Sequence, residues 1–480
     1  MLFNSYTFIF VFLPVVLIFY FLFNKFHFKY SLEFLSICSL FFYAYWNFSY
    51  LFIIILSIIL NYTLFQLLIN KKSIKKLLVV IGITGNISVL VYYKYIDFIF
   101  FNINQYFGIN VSYLNLVLPL AISFFTFQQI AFLVDTYTGK INQCNFQKYL
   151  LFITFFPQLI AGPIVHHGEI IHQYENKLNK IINYENLSRG IIIFSIGLFK
   201  KVFIADNLSV IVAQGFDGGI TLNFIEAWIT SLSYTFQLYF DFCGYTDMAI
   251  GIALMFNIML PINFNSPYKS LNIQDFWRRW HMTLSRFLRD YIYIPLGGSK
   301  NGYITQLLSV IVTFLIGGIW HGAGWNFIIW GLLHGCSLSL YLMWTKFNFR
   351  LNSFVSWFLT FNFLNITWVF FRSESLENAF SILQSMIGLN IIIFPEYFRY
   401  IIPSESFNNL IFSDVFENLN TDKSIIFYIL ILLLGVLFLK NSNELQKCYL
   451  KKKHIILAST LFVFSILNLH KVTEFLYYNF

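Results

Sequence analysis

A polytopic all-α membrane protein is the fold class that this sequence predicts, on three observations. Charged residues make up 11 % and hydrophobic residues 58 % of the 480, whereas a water-facing surface draws on roughly 25 % charged residues. The mean hydropathy is +0.68. The apolar runs are continuous and about twice the length of the alternating, roughly ten-residue segments of a β-barrel. The net charge of +9 does not point to nucleic acid, because the lysines and arginines fall between apolar runs, where cytoplasmic loops meet an anionic leaflet. The five cysteines, Cys38, Cys144, Cys243, Cys336 and Cys448, are scattered, with no CxxC pair or metal-ligand spacing, and read as small core residues.

The first apolar run, 7–23, lacks a basic region before it and a cleavage site after it, so it reads as a retained span. Spans at about 31–48 and 50–70 follow, the latter ending in Lys71-Lys-Ser-Ile-Lys-Lys76. Placing those lysines in the cytoplasm puts the N-terminus outside and brings Lys25 and Lys29 inside as well. After a span at about 77–95, the Asn, Gln and Gly content of 97–115 predicts an irregular piece. Pro119 then precedes an apolar helix carrying Gln128 and Gln129, which faces protein or a cavity. Two prolines and a glycine in 155–167 predict a re-entrant or kinked segment.

Two longer helical stretches occupy about 188–212 and 222–258. The second contains Gln237, Asp241 and Asp247, and its glycine at 244 suggests a break lining a cavity, or a plain loop. Beyond the central region come spans at about 353–371, 424–439 and 454–470. The acid-rich segment 393–422, with Glu396, Glu405, Asp414, Glu417 and Asp422 against Arg399, reads as outer, and the basic loop 440–453 as inner. Both termini are expected outside the cytoplasm. The whole is one membrane domain of roughly ten to twelve spanning or re-entrant helices, divided as N-terminal helices 1–115, a core 116–372 and C-terminal helices 373–480.

Polar residues concentrate at 274–335, where each carries a solvation penalty unless it faces a cavity, a partner or water. Asn272 has the position of an N-cap three residues before Asp275. The four-residue spacings Asp275/Arg279, Trp277/His281, His281/Ser285 and Arg286/Asp290 predict one helix with Trp277, His281 and Ser285 along one face. It is either an interfacial amphipathic helix on the cytoplasmic surface or the lining of a site. The run 304–320 ends in Trp320-His321-Gly322, and Gly317, Gly318, Gly322 and Gly324 allow a backbone or a ligand to approach that imidazole closely. His334, thirteen residues on, is turned by about 220° from His321 on an ideal helix and reads as a packing or hydrogen-bonding residue. Two buried imidazoles suit proton abstraction, acyl transfer or a transporter's proton path. No supporting ligand cluster indicates a metal.

Long motifs then supply a resemblance. They are Ser123-Phe-Phe-Thr-Phe-Gln128, Phe156-Pro-Gln-Leu-Ile-Ala-Gly-Pro163, Asp241-Phe-Cys-Gly-Tyr-Thr-Asp-Met-Ala-Ile-Gly251 and Asn263-Phe-Asn-Ser-Pro-Tyr268. Asp275-Phe-Trp-Arg-Arg-Trp-His-Met-Thr-Leu-Ser285, Arg289-Asp-Tyr-Ile-Tyr-Ile-Pro-Leu-Gly-Gly298 and Trp320-His-Gly322 complete the series. From about residue 5 to 372 the chain resembles the membrane-bound O-acyltransferase family, in its bacterial branch of alginate and peptidoglycan O-acetyltransferases.

The resemblance implies a ring of tilted transmembrane and re-entrant helices around a central tunnel, and a bacterial inner (cytoplasmic) membrane location. It implies that His321 is the catalytic base and that His281 is a second active-site group. Arg278, Arg279 and Arg286 would meet the phosphates of the donor, with Trp277, Trp280, Trp320, Asp247 and Gln128 lining the substrate path. The implied donor is acetyl-CoA, a substrate rather than a tightly bound cofactor. The implied acceptor is a polysaccharide hydroxyl outside the cytoplasm, reached through an SGNH-type partner protein. Two alternatives stay open: D-alanyl transfer from a carrier-protein thioester, and a transporter or polymer flippase, which the lack of an internal repeat disfavours.

Overall fold

Runs of Phe, Ile and Leu interrupted by Asn, Gly, Pro and charged turns favour helices, because an apolar solvent leaves backbone N–H and C=O groups no partner outside their own segment. A computed structural model describes residues 1–26, 28–347, 349–390, 392–394, 410–412, 415, 416, 418, 419, 421–447, 452–469, 475 and 476. The helices are, in order, α1 (Leu13–Phe26), α2 (Phe28–Ala44), α3 (Phe48–Asn70), α4 (Lys75–Leu90), α5 (Ile96–Phe107), α6 (Ile122–Tyr137) and α7 (Phe146–Thr154). There follow α8 (Phe156–Leu159), α9 (His167–Glu175), α10 (Tyr184–Phe199), α11 (Asp206–Asp217), α12 (Phe224–Met255), α13 (Ile273–Trp277) and α14 (Met282–Leu288). The remainder are α15 (Tyr303–His321), α16 (Trp325–Trp344), α17 (Ser353–Arg372), α18 (Leu376–Met386), α19 (Ser424–Phe438), α20 (Ser442–Lys447) and α21 (Lys452–Leu467). Between α18 and α19, β1 (Ile392–Phe394) pairs in parallel with β2 (Leu410–Phe412), a small addition to an otherwise helical chain.

Six helices among the described residues are long and apolar enough to cross a membrane: Phe8–Phe26, Phe48–Asn70, Lys75–Phe107, Tyr303–His321, Trp325–Phe347 and Ser353–Arg372. Two shorter apolar helices are Tyr30–Ala44 and Ser424–Phe438. Glu396, Arg399, Glu405, Asp414 and Glu417, on which the outer assignment of 393–422 rests, lie outside the described residues. So do Cys448 and part of the basic loop.

The chain forms two compact units, one of Met1–Lys201, Phe242–Asn263 and Ser442–Phe480, the other of Val202–Asp241 and Phe264–Asn441. In the first, α1 packs on α2, α6 on α3 and α4, and α10 on α21. The side chains of Asn61 and Asn86 exchange hydrogen bonds of 3.2 and 2.7 Å between α3 and α4, so two buried amides satisfy each other. The broken run expected at 155–167 is observed as the four-residue α8 followed by non-helical backbone up to α9. In the second unit α15 pairs with α16, α16 with α17, and α17 with α18.

Two expectations are corrected here. The piece 97–115 is helical as far as Phe107, where Gly108 at φ 65° ends the helix. Its polar side chains are satisfied locally: Asn102 donates to the Phe98 carbonyl at 2.7 Å, and the Asp97 carboxylate accepts from the Leu114 and Asn115 N–H groups at 2.7 and 2.9 Å. The expected break around Gly244 is absent, and α12 runs unbroken for 32 residues. Its glycines serve a helix crossing instead. A Cβ on Gly197 would lie 2.6 Å from the Gly244 carbonyl oxygen, and one on Gly190 would lie 2.6 Å from that of Gly251. Small residues at both levels let α10 and the second half of α12 approach backbone to backbone.

Gly197→Ala is therefore expected to cost about 1–3 kcal/mol through overpacking, read as a lower melting temperature in detergent. Gly85→Ala, where a Cβ meets nothing within 4 Å, is expected to leave that temperature unchanged.

Candidate active site

The α15–α16 hairpin closes on backbone. A Cβ on Gly331 would lie 2.5 Å from the Phe314 carbonyl oxygen, and one on Gly335 would lie 2.9 Å from Ile311 Cα. Gly318 faces the Phe327 carbonyl, and Gly322 faces the Phe327 ring. Gly318, Gly331 and Gly335 thus let the two helices approach closely. The contact places His321, the last residue of α15, against the first turns of α16.

His321 is buried, with its ring centroid 4.9 Å from Trp320, 5.0 Å from Trp330 and 5.0 Å from Phe371. The Trp330 and Phe371 rings stand at 85° and 74° to it, edge to face. The imidazole plane is therefore held by packing on several sides. Trp320 also borders His281, whose ring centroid is 6.5 Å away. One indole thus neighbours both imidazoles.

The single helix expected over 274–290 is not formed. Asn272 does cap α13, its side chain accepting the Asp275 N–H at 2.8 Å, but α13 ends at Trp277 and α14 begins only at Met282. His281 sits between them at φ 42°, ψ 52°, a left-handed conformation that costs a non-glycine residue about 1–3 kcal/mol and collects at functional sites. The turn is pinned by the Arg279 carbonyl, which accepts the Asn265 N–H at 2.9 Å. The break takes Trp277, His281 and Ser285 off a common face. It drives His281 to complete burial, and that burial holds its imidazole down at about 3, neutral and basic in form.

Trp277 and Trp280 point into the same aromatic mass. Trp280 packs on Trp368 at 5.1 Å and stacks on Phe276 at 5.6 Å. Trp277 donates its indole N–H to His334 Nδ1 at 3.2 Å, and His334 Nε2 lies 3.2 Å from Thr367 Oγ1. The Thr367 hydroxyl donates to the Leu364 carbonyl at 2.9 Å, which leaves its oxygen to accept from an Nε2–H tautomer of His334. Both nitrogens of His334 are therefore engaged, as expected of a hydrogen-bonding residue rather than a base.

The arginines differ. Arg279 is half-buried and paired to Asp275, Nε to Oδ1 at 2.9 Å, as the spacing predicts; Arg278 is exposed. These seven residues, His281, His321, Arg278, Arg279, Trp277, Trp280 and Trp320, all lie in the second unit. Asp247 and Gln128 lie in the first. Asp247 is buried and engaged by the Lys200 ammonium at 2.7 Å and by the Ser442 hydroxyl, while Gln128 is buried on α6. Among the described residues no group of three His, Cys, Asp or Glu side chains is placed to hold a metal.

The sequence expectations missed Trp330 and Phe371, which pack on His321, and Trp368, which stacks on Trp330. Trp330 and His334 are four apart on α16, as are Leu364 and Trp368, and Thr367 and Phe371, on α17. Those spacings carry the signal, but two mutually facing aromatic stripes look like ordinary core in a sequence.

A model of the membrane-bound O-acyltransferase family matches residues 137–373. The peptidoglycan O-acetyltransferase of Helicobacter pylori is 50 % identical over 424 residues, covering 81 % of this chain and 80 % of that protein. The probable alginate O-acetylase AlgI of Pseudomonas aeruginosa is 36 % identical over 399 residues, 81 % of this chain and 75 % of that protein. The teichoic acid D-alanyltransferase of Bacillus subtilis is 30 % identical over 242 residues, 49 % of this chain and 61 % of that protein.

Burial gives the site a stability signature. Because the folded His281 titrates at about 3 instead of the ordinary 6.5, the unfolded chain takes up a proton first as the pH falls. Its contribution is fully present above about 6.5 and is lost progressively toward 3. His281→Gln is expected to flatten the acid limb of melting temperature against pH in that window; an unaltered limb would assign the acid sensitivity to other groups. Trp277→Phe, which leaves His334 Nδ1 buried without its donor, is expected to destabilise the protein by about 1–3 kcal/mol in a thermal melt.

Proposed function

This chain belongs to the membrane-bound O-acyltransferase family, a multi-pass membrane acyltransferase, and from that premise we propose that it moves acetyl groups from cytosolic acetyl-CoA to a polysaccharide outside the cytoplasm. Peptidoglycan is the acceptor class that the half-identical Helicobacter relative favours, with an alginate-like polymer second. D-alanyl transfer has a narrower basis, a relative matching 49 % of the chain. The protein would lie in the bacterial inner membrane with both termini outside the cytoplasm, the orientation that Lys71, Lys75 and Lys76 favour. An SGNH-type partner protein would carry the acetyl group to the polymer.

The observation that carries the reading is the pair of buried imidazoles that border the same indole, Trp320. His321 takes the proton of the attacking hydroxyl, the oxygen adds to the thioester carbonyl, and the C–S bond breaks. The departing thiolate then recovers the proton from His321, leaving an O-acetyl ester and free CoA. His281, neutral through burial, orients the thioester or stabilises its oxyanion. Arg278, exposed three residues before His281, attracts the CoA phosphates; Arg279, tied to Asp275, also keeps the turn in place.

In membranes supplied with labelled acetyl-CoA, His321→Ala is expected to lower transfer to polymer by roughly 10²–10⁴-fold at equal protein level. Unchanged polymer acetylation in cells with no second such enzyme would end the proposal. Arg278→Ala is expected to raise the KM for acetyl-CoA roughly two- to fivefold, the worth of an exposed ionic contact, with kcat preserved.

A further inference from the structure

A groove of about 760 Å³ lies beside the histidine cluster without being part of it, walled by the second half of α16, by Thr345 and Phe349–Leu351, by the first half of α17 and by residues 271–273 at the start of α13. Its lining includes Leu340, Tyr341, Trp344, Arg350, Leu359 and Phe363. Leu340 and Leu359 are 62 % and 54 % exposed on helices long and apolar enough to cross a membrane, so the groove opens toward the bilayer.

Its mouth is built and held. The Trp344 indole N–H donates to the Phe349 carbonyl at 3.1 Å, and the two rings lie 5.9 Å apart. The Thr345 hydroxyl donates to the Leu342 carbonyl at 2.8 Å. Next to them the Lys346 ammonium lies over the Tyr303 ring, 3.0 Å from its centroid. Trp344 at the end of α16, Lys346 and Arg350 after it, and Tyr303 under the Lys346 ammonium together have the composition of a membrane–water boundary. Among the described residues that line the groove Arg350 alone is charged, and it is exposed, with no hydrogen bond or ion pair among the described residues.

We propose that this groove binds one anionic phospholipid, its phosphate on Arg350 and one acyl chain along Leu340, Leu359 and Phe363. The volume lies within the roughly 300–1,000 Å³ of ligand pockets, enough for part of a headgroup and one chain. An acyl chain gains little by leaving other lipid for an apolar wall, so affinity for one lipid class over another has to come from the mouth. There an unopposed guanidinium, four residues after Lys346 in the chain, selects a net negative headgroup. A soluble anion would satisfy Arg350 but leave the leucine wall to lipid. The inner wall touches the histidine cluster: the Phe363 ring is 5.4 Å from His334, and Asn272, which caps α13, lines the same groove. Lipid binding stands independently of the reaction proposed above.

The test is native mass spectrometry of the full chain in detergent, titrated with phosphatidylglycerol and with phosphatidylcholine of the same acyl chains. Phosphatidylglycerol is expected to bind roughly tenfold more tightly, the scale of one or two basic contacts. Arg350→Glu is expected to abolish that preference, and Arg350→Gln serves if the charge reversal impairs insertion. Leu340→Trp, which fills the groove, is expected to weaken both lipids. Lys76→Glu, a cation in the first unit, is expected to preserve the preference. Equal affinity for the two lipids in the unaltered chain, or a preference that survives both Arg350 variants, would overturn the proposal.

Discussion

Backbone meets backbone where α15 and α16 cross, and the arrangement of the histidines depends on that closeness. With no room for a Cβ at Gly331, the two helices lie near enough for His321 at the end of one to rest against Trp330 near the start of the other. α17 then adds Trp368 and Phe371 to the same wall. Aromatic rings suit this position because they fill space rigidly, and an imidazole packed edge to face against them has few orientations open to it.

The second imidazole is placed by a different device. A continuous helix would have aligned His281 with Trp277 and Ser285, but the chain stops α13 early and turns through a left-handed residue. The strain is held by neighbours: Asn272 caps α13, Asp275 pairs with Arg279, and Asn265 binds the Arg279 carbonyl. The result is a neutral, wholly buried His281 beside Trp320, whereas His334 is fixed by Trp277 and Thr367 through both nitrogens. Three histidines in one region thus have distinct surroundings: a left-handed turn at His281, aromatic rings around His321, and a hydrogen bond at each nitrogen of His334.

Much of this was legible in the sequence, for identifiable reasons. The apolar runs gave helices; Asn272 and the Asp275/Arg279 spacing gave a cap and an ion pair; and the motifs from Ser123 to Gly322 gave the family. What the sequence concealed depends on contact between distant segments. Gly244 reads locally as a helix breaker, yet it accommodates the backbone near Gly197 within an unbroken helix. Regular four-residue spacing concealed the turn at His281, because nothing local announces a histidine at positive φ. Trp330 and Phe371 read as core until the fold packs both rings, and each against the other, on His321.

The claim that the α15–α16 contact sets the working geometry of His321 is tested most directly by Gly331→Ala, assayed for acetyl transfer from acetyl-CoA in liposomes alongside its helical content. The added methyl has to push α16 away from the Phe314 carbonyl. Displacement of a reacting group by about 1 Å costs on the order of a hundredfold in rate, so the expected result is a fall of that size with helical content retained. Full transfer activity in that variant would contradict the account.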